Sequence, residues 1–201
     1  TRSGGTWIET VVATTGGDVT CGNGVSDRGL LGGLWPAVVF DSAGKLYFAY
    51  RDGHDGQFGP QDWNGSDVEL FEGQPPSFGG RCINPGGNNK QAWGGRIQLA
   101  MGPGDQPAMV YDQSVGTADG IGSNVLFQKR DVSGNWSSAA LILSIANTHS
   151  GASVAYDATE GYGVAAVDRS TGILHYTNST NGVQWSESSH VFGAGTGGWW
   201  P

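Results

Sequence analysis

The strongest constraint on what this chain can fold into is an internal repeat. Residues 37–50, AVVFDSAGKLYFAY, align with residues 98–111, QLAMGPGDQPAMVY, at an offset of 61. Val38–Asp41 aligns with Val154–Asp157 at an offset of 116, a further step of 55. Val68–Phe71, Val125–Gln128 and Ile173–Tyr176 follow in the same order. Gly5–Trp7 recurs as Gly134–Trp136 and, one residue longer, as Gly182–Trp185, and Gly32–Pro36 recurs as Gly197–Pro201. A chain that repeats at this spacing builds one supersecondary unit several times over.

The stretch Gly151–Trp185 shows what the unit is. Ala152–Tyr156, Tyr162–Val167 and Ile173–Thr177 are short β-type runs. Asp157–Gly161, Asp168–Gly172 and Ser179–Gly182 are turn clusters, the last leading to a fourth run that begins at Trp185. Runs this short, bounded by Asp, Gly, Ser and Asn, read as hairpin-linked strands. The unit is therefore a four-stranded antiparallel meander. The 36 glycines fit many tight turns, and eight tryptophans among only 14 % charged residues fit a β-rich core and argue against disorder.

The predicted units run over about 35–90, 96–146 and 151–193, with residues 1–13 as the last strand of a preceding unit and 197–201 opening another. The predicted fold class is all-β, a β-propeller segment of about three full blades with partial blades at both ends. Propellers carry about four to eight blades, so the ring is expected to be completed by further residues of a longer chain or by another chain. The alternative is a β-sandwich of stacked meanders.

Two motifs carry a family resemblance across most of residues 35–193. One is small-apolar-apolar-Asp-x-x-Gly followed by apolar-Ala-Tyr, as in Ala37–Tyr50. The other is Leu-x-Tyr leading through a Gly turn to Trp, as in Leu174–Trp185. Together they resemble the Asp-box-related propellers of sialidase-like and bacterial secreted proteins. Ser179–Trp185 is the nearest approach to an Asp box, with Asn181 where that motif carries Asp. The box is a folding turn, so the resemblance implies fold. The activity it brings as an alternative is a sialidase-type glycoside hydrolase, with a Tyr nucleophile backed by Glu, an Asp acid/base and three Arg on the substrate carboxylate. Arg51 and Arg169 fall on the candidate face, whereas Glu160-Gly161-Tyr162 falls in a turn of the opposite face.

Charge excludes several partners. The net charge is −8 and no Lys/Arg cluster exists, which disfavours nucleic acid and anionic membrane surfaces. No apolar run approaches the roughly 20 residues of a membrane helix. Lysine is confined to Lys45, Lys90 and Lys129, and with abundant Gly, Ser, Thr and Trp this fits an exported protein, extracellular or at the cell surface, or periplasmic. The opening at Thr1, without an initiator Met, fits processing or truncation.

In a propeller the 2–3 connections and the inter-blade connections share one face. Here those stretches are long: 14–34, 51–66 and 74–95. Cys21 and Cys82 fall in two of them, 61 apart, which predicts a disulfide between neighbouring blades; the alternative is two separate thiols. Asp52, His54, Asp55, Asp62 and Asp67 crowd one loop, whose four aspartates are either oxygen ligands for calcium or part of a solvated acidic loop. Trp7, Trp136 and Trp185 recur at one repeat position, and Trp35 and Trp200 at another, so all five are expected to pack between blades. Trp63 and Trp93 lie outside the pattern and, with Arg51 and His54, are the candidates for stacking on a sugar or a partner protein.

His149, His175 and His190 are isolated, and no pair of histidines has metal spacing. Asn64, Asn135 and Asn178 stand in glycosylation sequons. No catalytic residue is assigned. The expected function is recognition or scaffolding for carbohydrate or protein, with the glycoside hydrolase and a structural subunit of a cell-surface assembly as alternatives.

Overall fold

A computed structural model describes residues 2–3, 6–7, 9–12, 34–52, 67–84, 91–115, 122–145, 151–168, 171–186 and 189–190. The described chain is all-β apart from a single 3-10 turn at Pro103–Asp105. Strands β1 (Arg2–Ser3) and β2 (Thr6–Trp7) pair in a two-stranded hairpin. Three four-stranded antiparallel sheets follow, each a meander of consecutive strands. The first holds β3 (Leu34–Phe40), β4 (Leu46–Asp52), β5 (Asp67–Gln74) and β6 (Ser77–Asn84). The second holds β7 (Gln91–Met101), β8 (Pro107–Val115), β9 (Gly122–Lys129) and β10 (Ala140–Ser144). The third holds β11 (Ala152–Asp157), β12 (Gly161–Asp168), β13 (Ile173–Ser179) and β14 (Ser189–His190).

Local hydrogen bonding makes the tight turns. The Asp41 carboxylate accepts from the Ala43 and Lys45 amides at 3.0 and 2.8 Å, and the Asp157 carboxylate from those of Thr159 and Glu160 at 2.7 and 3.0 Å. Asp131 accepts from the Asn135 amide at 2.8 Å. In the last turn Asn181 Oδ1 accepts from the Val183 and Gln184 amides at 2.8 and 3.0 Å. The side-chain amide of Asn181 thus performs the turn-closing role of a carboxylate, since either oxygen satisfies orphan backbone donors.

The sheets stack face to face, with the second in the middle. On β8, Met109 and Tyr111 are buried against Ala37, Tyr47, Ala49 and Leu70 of the first sheet. The alternate residues Ala108 and Val110 are buried with Tyr162, Val164 and Ala166 of the third. The period-2 alternation of a strand thus places each β8 residue in one of two cores. Contacts between sheets centre on the first strands, β3 against β7 and β7 against β11. Trp136 packs on the core between the first and second sheets, and Trp185 on the core between the second and third.

Two expectations are corrected. The stretch 74–95, expected as a connection, contains β6 and the start of β7, so Cys82 and Trp93 lie in strands. Pro75-Pro76 forms the turn between β5 and β6, and Gly79-Gly80 resembles loop chemistry, but β5 supplies a ladder of partners that overrides its local preference. The fourth strand of the third sheet lies at Ser189–His190, so Trp185 belongs to the turn before it.

Candidate functional site

One end of the stack gathers unusual chemistry. The chain leaves β4 at Asp52 and returns at Asp67, leaves β6 at Asn84 and returns at Gln91, and leaves β8 at Val115 and returns at Gly122, all at this end. Here β3 and β7 each carry a register shift, between Leu34 and Ala37 and between Gly95 and Gln98. Within each shift stands a residue of left-handed backbone, Trp35 with φ 49° and Arg96 with φ 53°. Gly151, just before β11, has φ 79°. Left-handed backbone is natural for glycine and strained for tryptophan or arginine. A bulge re-aims the side chain it carries and is common beside functional sites.

The bulge turns Trp35 outward. Its indole is 44 % exposed, and the Arg51 guanidinium lies 5.2 Å from the ring centroid in a cation–π contact. Trp35 therefore does not pack between sheets as its recurrence with Trp200 predicts. Arg51 itself is buried. Burial lowers its pKa to about 10, opposed by the charge of Asp67, so the guanidinium stays cationic at neutral pH. Asp67 is buried at the start of β5 and pairs with Asp52 across the strands. Asp112, within β8, and Asp168, at the end of β12, are also buried. Arg96 extends its aliphatic stem along the backbone of Gly151.

These observations locate part of the predicted site. Arg51 and Asp67 are brought together, with Asp52 facing Asp67 through the backbone register. His54, Asp55, Asp62, Trp63, Arg169 and Cys21 lie outside the described residues. Trp93 is placed on β7 opposite Gln113. Among the described residues no group of three or more His, Cys, Asp or Glu is arranged to hold a metal ion, and no cysteine is free. No helix of the described residues is long and apolar enough to cross a membrane. Trp35 is the residue that sequence reasoning assigned to packing. Its signal was the Trp-Pro pair placed just ahead of an apolar run, where a strand begins and a bulge is tolerated.

The opposite end is a structural staple. Glu72 Oε1 meets Arg81 at 3.0 Å, Lys45 at 3.4 Å and Arg130 at 3.5 Å. Arg130 also reaches the Tyr47 hydroxyl at 3.3 Å, so the network ties the second sheet to the first. Glu160 and Tyr162 stand at this end, on the turn between β11 and β12 and at the start of β12. Burial, with neighbouring Tyr156 as a smaller cause, pushes the Tyr162 phenol up to about 12.

No protein-family model matches the chain, and no curated protein matches it.

Proposed function

We propose that the three sheets are consecutive blades of a β-propeller, and that the chain is a non-catalytic recognition module of an exported protein that takes a carbohydrate at its connection end. The observation that carries the reading is Trp35. An indole left 44 % exposed, held in strained backbone and backed by a buried guanidinium, is a pre-positioned stacking surface. An aromatic face suits the C–H face of a sugar ring, and buried polar groups around it supply orientation.

The ring reading is supported by the repeat spacing itself. Trp35, Arg96 and Gly151 stand 61 and 55 residues apart, the same steps as the aligned segments, and all three have left-handed φ. The close approach of the first strands, β3 to β7 and β7 to β11, supports an arrangement of the sheets as blades around an axis. Among the described residues at this end the carboxylates Asp67, Asp112 and Asp168 outnumber Arg51 and Arg96, and the whole chain carries −8. That field favours a neutral or amino sugar over an acidic one. A Cys21–Cys82 bridge between neighbouring units, 61 residues apart, would go with an oxidising compartment.

The test is a glycan array read with wild type and Trp35→Ala. Binding to neutral or amino sugars that the variant loses is the expected result. Binding that survives Trp35→Ala, or hydrolysis of a glycoside by the wild type, overturns it. Selective capture of a protein ligand instead would replace the carbohydrate reading.

A further inference from the structure

The turn after β13 holds an arrangement that closing a turn does not require. Asn181 stands before Gly182, and the backbone nitrogen of a glycine is the least hindered nucleophile that an asparagine carboxamide can meet in its own chain. Asn181 is exposed and Gly182 is buried. Gly182 has φ 68°, and a Cβ there would fall 3.1 Å from each of Phe127 Cε1, Tyr162 Cε2 and Lys129 Cδ, so the turn is seated firmly against its neighbours.

Three donors converge on Asn181 Oδ1. The Val183 and Gln184 amides reach it at 2.8 and 3.0 Å, and the Ser179 hydroxyl at 3.2 Å. These bonds fold the carboxamide back along the chain, beside the Gly182 amide that precedes both backbone donors. The same Ser179 Oγ accepts from the Gly182 amide at 2.8 Å. One hydroxyl therefore touches the N–H that loses a proton and the carbonyl oxygen that gains one when the Gly182 nitrogen attacks the carboxamide. Donors aimed at an oxygen on which charge develops lower the barrier to acyl transfer.

We propose that Asn181 is a self-modification site, converted to aspartate in the folded chain through a succinimide, with Ser179 as the proton relay. The Gly182 nitrogen forms a bond to Cγ, its proton passes to Ser179 Oγ, and the Ser179 proton passes to Oδ1. Collapse of this intermediate restores the Cγ carbonyl and breaks the bond from Cγ to Nδ2, and the proton leaves with Nδ2 as ammonia. Water then opens the ring at Cγ, its hydroxyl completing the new carboxyl group and its other proton returning to the Gly182 nitrogen. The three donors on Oδ1 favour this opening over attack at the backbone carbonyl, so the product is aspartate and not isoaspartate. The carboxylate keeps its amide donors, as Asp157 does, and adds a negative charge beside Lys129 Nζ, which donates to the Asn181 backbone carbonyl. The modification thus tightens the tie between the third sheet and the second. It is independent of the carbohydrate reading.

The test is peptide mass spectrometry of the protein held at neutral pH, folded and in urea, with Ser179→Ala compared and far-UV circular dichroism as the check on folding. Asn23, Asn64 and Asn181 all precede glycine, so their conversion in urea gives the rate of this pair in an open chain. In the folded wild type the peptide holding Asn181 is expected to gain about one dalton faster than in urea, with aspartate as the main product. Ser179→Ala is expected to slow that gain at least about tenfold. Conversion that is slower in the folded protein than in urea overturns the proposal, because the bond from Gly182 to Ser179 then protects the nitrogen. Isoaspartate as the main product also overturns it, as does a folded Ser179→Ala that converts at the wild-type rate. If Ser179→Ala does not fold, the comparison of folded with unfolded wild type decides.

Discussion

Arg96 and Gly151 hold the same left-handed backbone in adjacent sheets, with φ 53° and 79°, and the side chain of one covers the backbone of the other. A Cβ on Gly151 would fall 2.6 Å from Arg96 Cβ and 2.9 Å from its Cδ. Gly151→Ala therefore combines left-handed strain with a clash against a stem held by its own strained backbone. We expect a loss of about 2–3 kcal/mol in urea unfolding. Gly104→Ala is the control, since Gly104 also has left-handed φ but faces open space. It should lose only about 1 kcal/mol. Equal losses at the two sites would refute the close packing of Arg96 on the third sheet.

Trp35→Gly separates strain from contact. Glycine relieves about 1–2 kcal/mol of left-handed strain and forfeits a cation–π contact of about 0.5–1 kcal/mol and some packing. Stability should change by less than about 1 kcal/mol in chemical denaturation. Sugar binding should nevertheless vanish, because the stacking surface is gone. A large destabilisation would return Trp35 to a packing role.

The Glu72 network should be asymmetric. Glu72 is largely buried and faces three cations, so Glu72→Ala leaves positive charges crowded together at the junction of two sheets. We expect a loss of about 3 kcal/mol. Lys45→Ala removes the more exposed partner and should lose less than about 1 kcal/mol. Thermal unfolding of both variants checks the ratio, and similar losses would contradict it.

Acid should unfold the protein in part through its turns. Backbone amide donors hold the Asp131 and Asp157 carboxyls below the usual aspartate range, with those of Asn135 and of Glu160 leading. The folded state thus binds protons less readily than the unfolded one. That contribution is present above the unfolded aspartate pKa and is lost as pH falls through the folded one. Asn181 shows that an amide oxygen closes the same kind of turn. Asp131→Asn with Asp157→Asn should accordingly fold at neutral pH and lose less stability on acidification, measured as the unfolding midpoint against pH.

Alkali should act through Tyr162, whose hydroxyl lies against Gly102. Its pKa is raised from 10 to about 12, so the folded state keeps a proton that the unfolded state releases. The stability it contributes is complete below pH 10 and declines as pH rises from 10 toward 12. Tyr162→Phe should flatten this alkaline limb, and ultraviolet titration should lose one tyrosine that titrates at about pH 12. An unchanged limb would place the effect elsewhere.

Asp41, Asp157 and the Asn181 turn were legible in the sequence because their chemistry is local. A carboxylate or amide meets amides two to four residues away, next to a glycine that accepts left-handed φ, and no distant residue is consulted. The repeat was legible for a related reason. Alternating apolar residues define a strand face wherever they occur, so Val154–Asp157 announces the same strand and turn as Val38–Asp41.

The strand at Ser77–Asn84 shows where that ends. Its Gly-Gly pair reads as loop, and only the neighbouring β5 ladder makes it a strand. Trp35 is the sharper case, because recurrence with Trp200 pointed to packing, while the bulge between Leu34 and Ala37 turns the indole outward onto Arg51. The sequence by itself determined the all-β character, the hairpin-linked strands and their tight turns. Tertiary structure alone decided which face of each strand is buried and which charged residues are taken out of water. Those outcomes depend on what a neighbouring sheet, some 60 residues away in the chain, places opposite them.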